Sequence, residues 1–240
     1  MRTKTVLTVA VAVILAFSAR AGAIMVPIVN AGFEDKLLQN PDGYDPSAPP
    51  GWTQIGWEGA VAGTWRVTDD DFSPEIATEG QNVAYTETPW LGSSRVGLQQ
   101  ILDTPFAPGK NYTLTVDVGN SWYYYFSGYK VQLLAGDTVI AQDDNTLHPD
   151  WRDWATSTVE YKYDPVNFND SLVGELLGIR LINLGLNPED ADWNEWVGVE
   201  FDNVRLENDT IPTPEPATML LLGTGLLGLA GIGRKKLFPK

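Results

Sequence analysis

The stretch Tyr112-Thr113-Leu114-Thr115-Val116-Asp117-Val118-Gly119 places an apolar side chain at every second position. Successive strand residues point to opposite faces, so Tyr112, Leu114, Val116 and Val118 line one face of a half-buried strand. Ala107-Pro108-Gly109-Lys110 supplies the turn before it. Residues 129–135 alternate in the same way, and Gly136-Asp137 makes a hairpin turn into Thr138-Val139-Ile140-Ala141. Further strands are expected over 96–102, 156–163, 177–183 and 198–206, with shorter ones at 24–29, 65–67 and 80–85. No long stretch carries a 3.6-residue period. Short strands at turn-rich spacing predict an all-β fold, an antiparallel sandwich.

The two ends of the chain read differently from this body. Arg2 and Lys4 precede an apolar run from Val6 to Phe17, and small residues then allow cleavage after Ala21 or Ala23. This is the layout of a secretory signal peptide, over 1–23. At the other end, 208–216 is a polar, Pro-bearing linker that closes with Pro214-Glu215-Pro216. Residues 217–233 carry no charge, and Arg234-Lys235-Lys236 opens a basic tail over 234–240. A helix needs about 17–25 residues to cross a bilayer core of about 30 Å, so 217–233 is expected to form a short transmembrane helix. The cations behind it favour the cytoplasmic side, which leaves the body outside.

The folded domain is then expected over 24–207, long enough for one real core. The chain has no Cys, which removes thiol catalysis and thiolate metal sites. Nine Lys and Arg stand against thirty Asp and Glu between Ile24 and Pro214, so the exported body carries a charge near −21. Such a body repels nucleic acid and anionic lipid. It also offers many hard oxygen donors for Ca²⁺, although an ordinary acidic extracellular surface has the same composition.

The tail's three-part order, with Pro214, Glu215 and Pro216, then a Gly/Leu-rich segment, then Arg234, Lys235 and Lys236, resembles the PEP-CTERM sorting signal of Gram-negative bacteria. That resemblance implies recognition by an exosortase, transient residence in the inner membrane, cleavage near the Pro-Glu-Pro, and delivery to the cell surface or extracellular matrix. The body has its own resemblance. Val29-Asn30-Ala31-Gly32-Phe33-Glu34, Pro50-Gly51-Trp52, Gly80-Gln81-Asn82-Val83-Ala84 and the closing Phe201-Asp202-Asn203-Val204-Arg205-Leu206 come in an order similar to the galactose-binding-domain-like jelly roll of carbohydrate-binding modules. It implies eight or nine strands, first and last strands side by side, and no catalysis. It also implies a structural Ca²⁺ held by Glu34 and Asp202, with backbone carbonyls of Asn30 or Gln81 completing the shell. The alternative is that both carboxylates cap turns by accepting from backbone amides.

Nine Trp is many for this length. Trp122-Tyr123-Tyr124-Tyr125-Phe126 is an aromatic run between two strands, and Trp151 and Trp193 lie in acidic loops. A sugar ring stacks its C–H face on such rings while its hydroxyls bond to nearby carboxylates and amides. Core packing is the competing role for each ring. Trp122, Tyr124, Trp151 and Trp193 are the residues expected to be exposed and to contact carbohydrate. The lone His148 has no Ser or metal partner in any known spacing, and no Gly-x-Ser-x-Gly, His-Glu-x-x-His or phosphate loop occurs. The sequence therefore predicts a non-catalytic, exported surface or matrix protein associated with exopolysaccharide. A polysaccharide hydrolase or lyase on the same scaffold, or a purely adhesive protein, are the alternatives.

Overall fold

The structure is a computed structural model and describes residues 22–56, 59–74, 76–89, 95–186, 196–210 and 223–225. The body spans Ala23–Thr210. Its strands in chain order are β1 (Ile24–Val26), β2 (Tyr44–Asp45), β3 (Thr53–Gly56), β4 (Val61–Arg66), β5 (Asn82–Pro89), β6 (Val96–Pro105) and β7 (Lys110–Asn120). They continue with β8 (Tyr125–Phe126), β9 (Tyr129–Ala135), β10 (Thr138–Asp144), β11 (Asp153–Tyr161), β12 (Leu176–Asn183) and β13 (Trp196–Thr210). One sheet runs β11-β7-β13-β5-β4-β2, with β1 and β8 also paired to β13, and the other runs β10-β9-β12-β6-β3. All of these pairs are antiparallel except β8 with β13. The expected antiparallel sandwich is what forms.

The alternation read from the sequence explains the core. Tyr112, Leu114, Val116 and Val118 of β7 are buried between the sheets, against Leu133 of β9 and Ile179 and Leu181 of β12. Burying each such side chain contributes about 1.5–3 kcal/mol, which offsets the entropy of ordering a turn-rich chain. The hairpin turn falls at Gly136-Asp137, where Gly136 has φ +57°. First and last strands do lie together, with Ile24 opposite Asn208 and Val26 opposite Leu206.

Among the described residues thirteen strand segments form where eight or nine were expected. The additional ones are mostly short edge pieces: β2 and β8 are two residues each and β3 is four. Such pieces are too short to show a period. Strand β4 begins at Val61, earlier than expected, because its residues 61–64 are small or β-branched and pair with β5 without an apolar alternation of their own.

A β-bulge interrupts β13 opposite β7 between Asp202 and Arg205. Asn203 takes φ +52° there, a left-handed backbone that Asn tolerates. Its side-chain amide donates to Asp117 Oδ2 and its N–H to Asp202 Oδ1. The bulge gives the Asn of the closing Asp-Asn pair a structural role.

Glu34 and Asp202, from opposite ends of the chain, converge on one loop, 78–82. Glu34 Oε1 accepts from the N–H groups of Gln81 at 2.7 Å and Asn82 at 2.6 Å. Asp202 Oδ2 accepts from the Glu79 N–H at 2.7 Å and the Thr78 hydroxyl at 2.9 Å. The Asn30 carbonyl accepts from Trp52 Nε1 at 3.2 Å and from the Phe33 N–H. Among the described residues no group of three or more His, Asp or Glu is arranged to hold a metal ion. The signal peptide, the segment 217–222 and 226–233, and the motif residues Pro214, Glu215, Pro216, Arg234, Lys235 and Lys236 lie outside the described residues. Among the described residues no helix is long and apolar enough to cross a membrane.

Candidate active site

The outer face of the larger sheet is not the polar, solvated surface that an antiparallel sandwich usually shows. Register places Gly63, Tyr85, Glu200, Gly119 and Trp154 in one row across β4, β5, β13, β7 and β11. The adjacent row holds Val61, Glu87 and Gly198. A second apolar cluster covers these rows, built from Trp65, Val67, Phe72, Val83 and Tyr85 with Trp154 packed against it. Phe72 and Trp154 stack at 4.3 Å between ring centroids.

Glycines in the strand interiors make that covering possible. A Cβ on Gly119 would lie 2.7 Å from the Trp154 ring and 3.0 Å from Phe72. A Cβ on Gly198 would lie 2.8 Å from Tyr124. Both glycines are therefore seats for aromatic rings, a close approach that no other residue allows. Gly198→Ala is expected to lift Tyr124 off its seat and cost about 1–3 kcal/mol, as overpacking does. Chemical denaturation checks this, and an unchanged midpoint would show that Tyr124 has room to move.

Above the sheet lies a cavity of about 910 Å³. Trp65, Tyr85 and Glu87 line it from β4 and β5, and Trp122, Tyr123 and Tyr124 from the loop after β7. Trp151 and Arg152 enter from the loop before β11, and Asp70 and Asp71 from the 67–74 segment; Asp42 and Tyr44 complete the wall. The volume suits a small molecule, and rings with a few polar groups are the usual lining of such a site. The rings brace one another: Trp65 meets Tyr123 and Tyr124 edge-on, and Trp122 meets Trp151 at 6.5 Å.

The acids of this cup are unusual. Burial pushes the Glu87 carboxyl up, although a hydrogen bond from Tyr124 partly opposes it. Burial likewise raises Asp71, against hydrogen bonds from the Thr68 hydroxyl and N–H. Burial, reinforced by Glu87, drives the Tyr124 phenol far above its ordinary value. Glu200 is 1% exposed, accepts from the Ser121 hydroxyl and N–H, and is pushed up to about 8 by burial. Charged carboxylates are costly in such surroundings, so these groups keep their protons where free ones would lose them. Among the described lining residues the one cation is engaged. The Arg152 guanidinium donates to the Asp69 carbonyl and lies 5.9 Å from the centroid of Trp151. Tyr85 Oη, Trp154 Nε1 and Arg152 Nε are buried without a hydrogen-bond partner.

An aromatic cup whose buried carboxyls hold their protons more tightly than free ones is suited to acid-initiated chemistry on an aromatic substrate. Comparison with known proteins agrees. The HpiC1 cyclase family profile matches residues 24–207, and a solved apo cyclase from Fischerella sp. is 34% identical over 80% of this chain and 98% of that chain, with a TM-score of 0.66. The chain belongs to the HpiC1-like cyclase family. The Stig cyclase Fisc from Fischerella sp. TAU, solved with (3Z)-3-(1-methyl-2-pyrrolidinylidene)-3H-indole, is 35% identical over 80% of this chain and all of that chain, with a TM-score of 0.68. A further cyclase from Fischerella sp. TAU, solved with 4-(1H-indol-3-yl)butan-2-one, is 34% identical over the same share of this chain and all of its own, with a TM-score of 0.65. No curated protein matches the chain in sequence.

HpiC1-like membership overturns the expectation of a non-catalytic body: the family is one of cyclase enzymes. The jelly-roll likeness carried the fold and not the chemistry, because the acids and rings of the cup are contributed by several strands and loops distant in sequence. The expectation of a sorting signal in the tail stands, since a PEP-CTERM protein-sorting motif matches residues 212–235. It marks an exported protein whose C-terminal region passes through the membrane and is handled by an exosortase.

Of the residues expected to contact carbohydrate, Trp122 is 53% exposed and Trp151 63% exposed, and both stand on the wall of the cup. Tyr124 is half-buried over Gly198 and bonds to Glu87, so it serves the interior of the cup. Trp193 lies outside the described residues. Trp65, Tyr85, Glu87 and Asp71 were not singled out by sequence reasoning. The signal that could have found them is the three strand glycines, Gly63, Gly119 and Gly198, each sharing a row with Tyr85 or Glu87 or one strand away from it.

Proposed function

We propose that this chain is an exported cyclase that holds an indole-bearing small molecule in the cup and starts ring closure by donating a proton from Glu87. The observation that carries the reading is the Glu87 carboxyl on the wall of an aromatic cavity of about 910 Å³, where burial makes it hold its proton more tightly than a free glutamate does. The indole compounds in the related Fischerella cyclases support the substrate class.

The chemistry balances as an isomerisation. The Glu87 O–H transfers its proton to an electron-rich carbon of the substrate. The resulting cation is stabilised by the faces of surrounding rings such as Trp65 and Tyr123. A neighbouring π bond of the substrate attacks it, a carbon–carbon bond forms, and a proton returns to the Glu87 carboxylate. Neither oxidant nor reductant is consumed.

Tyr124 has a positioning role. Its phenol stays protonated and donates to Glu87, which fixes the carboxyl and stabilises its ionised form after proton transfer. The test begins with calorimetric titration of 4-(1H-indol-3-yl)butan-2-one into the purified protein. Indole compounds with an unsaturated side chain are then incubated with the protein and analysed by mass-resolved chromatography. Binding of the ketone and an enzyme-dependent product of unchanged mass are expected. Absence of both would remove the proposal.

A second reading follows from Trp122 and Trp151, whose exposed rings could stack on a sugar of the producing cell's exopolysaccharide. Sedimentation of the protein with that polysaccharide, lost in a Trp122→Ala, Trp151→Ala double variant, is the expected result. Equal sedimentation of variant and wild type would end it. A structural Ca²⁺ at the 78–82 loop also belongs to the proposal. Glu34 and Asp202 are hard donors on the two sides of that loop, and burial pushes the Asp202 carboxyl up to about 7. A dication there would let Asp202 ionise without leaving a buried charge unpaired.

A further inference from the structure

Among the described residues four carboxyls line the cup, from Asp42, Asp70, Asp71 and Glu87, against the single guanidinium of Arg152. That guanidinium is turned onto the Asp69 carbonyl and the face of Trp151. Asp42 and Asp70 are exposed at the rim, whereas Asp71 is 3% exposed at the wall. Between rim and floor the surfaces are mostly ring faces, whose π electrons attract positive charge. The Tyr85 hydroxyl is buried there without a hydrogen-bond partner and offers lone pairs to a donor. The body around the cup carries a charge near −21, from nine basic and thirty acidic residues, which draws cations toward it.

We propose that the cup selects an aromatic substrate bearing a positively charged nitrogen, a protonated amine or iminium, over its neutral and anionic counterparts. This rests on the reading of the cup as an indole-handling site and adds the charge of the substrate class. The ring system of the substrate packs against the walls, while its cationic nitrogen lies between ring faces and the carboxyls of the rim. An anion would face the Asp42 and Asp70 carboxylates at the rim and find the Arg152 guanidinium already donating to the Asp69 carbonyl. A neutral analogue of equal shape keeps the ring contacts and loses the charge term.

The test uses three probes of matched size, tryptamine, 3-propylindole and indole-3-propionate, titrated calorimetrically into the purified full chain at neutral pH and low salt. Tryptamine is expected to bind at least about tenfold more tightly than 3-propylindole, with indole-3-propionate weaker than both. In the rim variant Asp42→Asn, Asp70→Asn most of the tryptamine advantage is expected to vanish, with 3-propylindole affinity unchanged. Asp42 has φ +60°, which Asn accommodates, and Asp70 is exposed, so this variant should fold. The wild-type comparison stands by itself if it does not. Equal binding of tryptamine and 3-propylindole overturns the charge preference and leaves the indole reading intact. Tighter binding of indole-3-propionate also overturns it and directs attention to the unpartnered Arg152 Nε. Failure of all three probes to bind overturns both readings.

Discussion

Glu87→Gln lowers turnover about 10²–10⁴-fold with little change in substrate affinity, the loss expected when a general acid is removed and its shape is kept. Glu87 faces the cup, Gly198 lies opposite it on β13, and the substitution keeps a polar group for the Tyr124 hydroxyl. The pH profile gives an independent check. Burial raises the Glu87 carboxyl, so its proton persists above the ordinary glutamate range, and the rate falls only as pH rises through that raised value. Tyr124→Phe removes the hydrogen bond that favours the ionised form, so the alkaline limb moves to higher pH. Asp71→Asn separates the two acids of the cup. Full activity in Glu87→Gln with loss in Asp71→Asn would transfer the role to Asp71. Activity within about threefold of wild type in both variants would remove carboxyl acid catalysis from the proposal.

The second large effect is on stability, at Glu200. Its carboxyl titrates near 4.5 when unfolded and is pushed up to about 8 by burial in the folded protein. Between those values the unfolded chain has released a proton that the folded chain keeps. Stability from this group is therefore fully present below 4.5 and is lost as pH rises toward about 8, at up to about 1.4 kcal/mol per pH unit. Glu200→Gln carries no such proton and keeps a polar group against Ser121. Measured by denaturation in EDTA, the variant should match wild type within about 1 kcal/mol at acid pH and exceed it by several kcal/mol at pH about 8. Parallel profiles for variant and wild type would show that Glu200 ionises freely. Asp202 adds a second slope, from 3.8 to about 7, and its sign is the same. Ca²⁺ binding at Asp202 would hold that carboxyl ionised, so added Ca²⁺ should raise the melting temperature and flatten the Asp202 share of the curve. No change on adding Ca²⁺ would dispose of the metal.

The fold was largely legible in the sequence and the cup was not. Tyr112, Leu114, Val116 and Val118 announced themselves because one strand has one buried face and its period is two. Gly136-Asp137 announced a hairpin because few residues accept its backbone. Trp122 and Trp151 were rightly expected at the surface, since each lies in a loop among polar residues. Glu87 gave no such sign. It occupies an ordinary strand, and its significance depends on Tyr124, which is 37 positions away and reaches it only because Gly198 has no side chain. Alternation also misled, because it assigns one face to the core and the other to water. Here the outer face of the larger sheet is covered by Trp65, Phe72 and Trp154 and becomes a second buried layer.

Local chemistry by itself determined the strands, the hairpin, the acidic charge and the sorting tail, because period, turn residues and charge order act over a few neighbouring positions. Tertiary structure alone decided that four carboxyls and several rings share one cavity. Burial, and with it the upward shift of the Glu87 carboxyl, is a property of the neighbours that folding supplies from β5, the loop after β7, and β13.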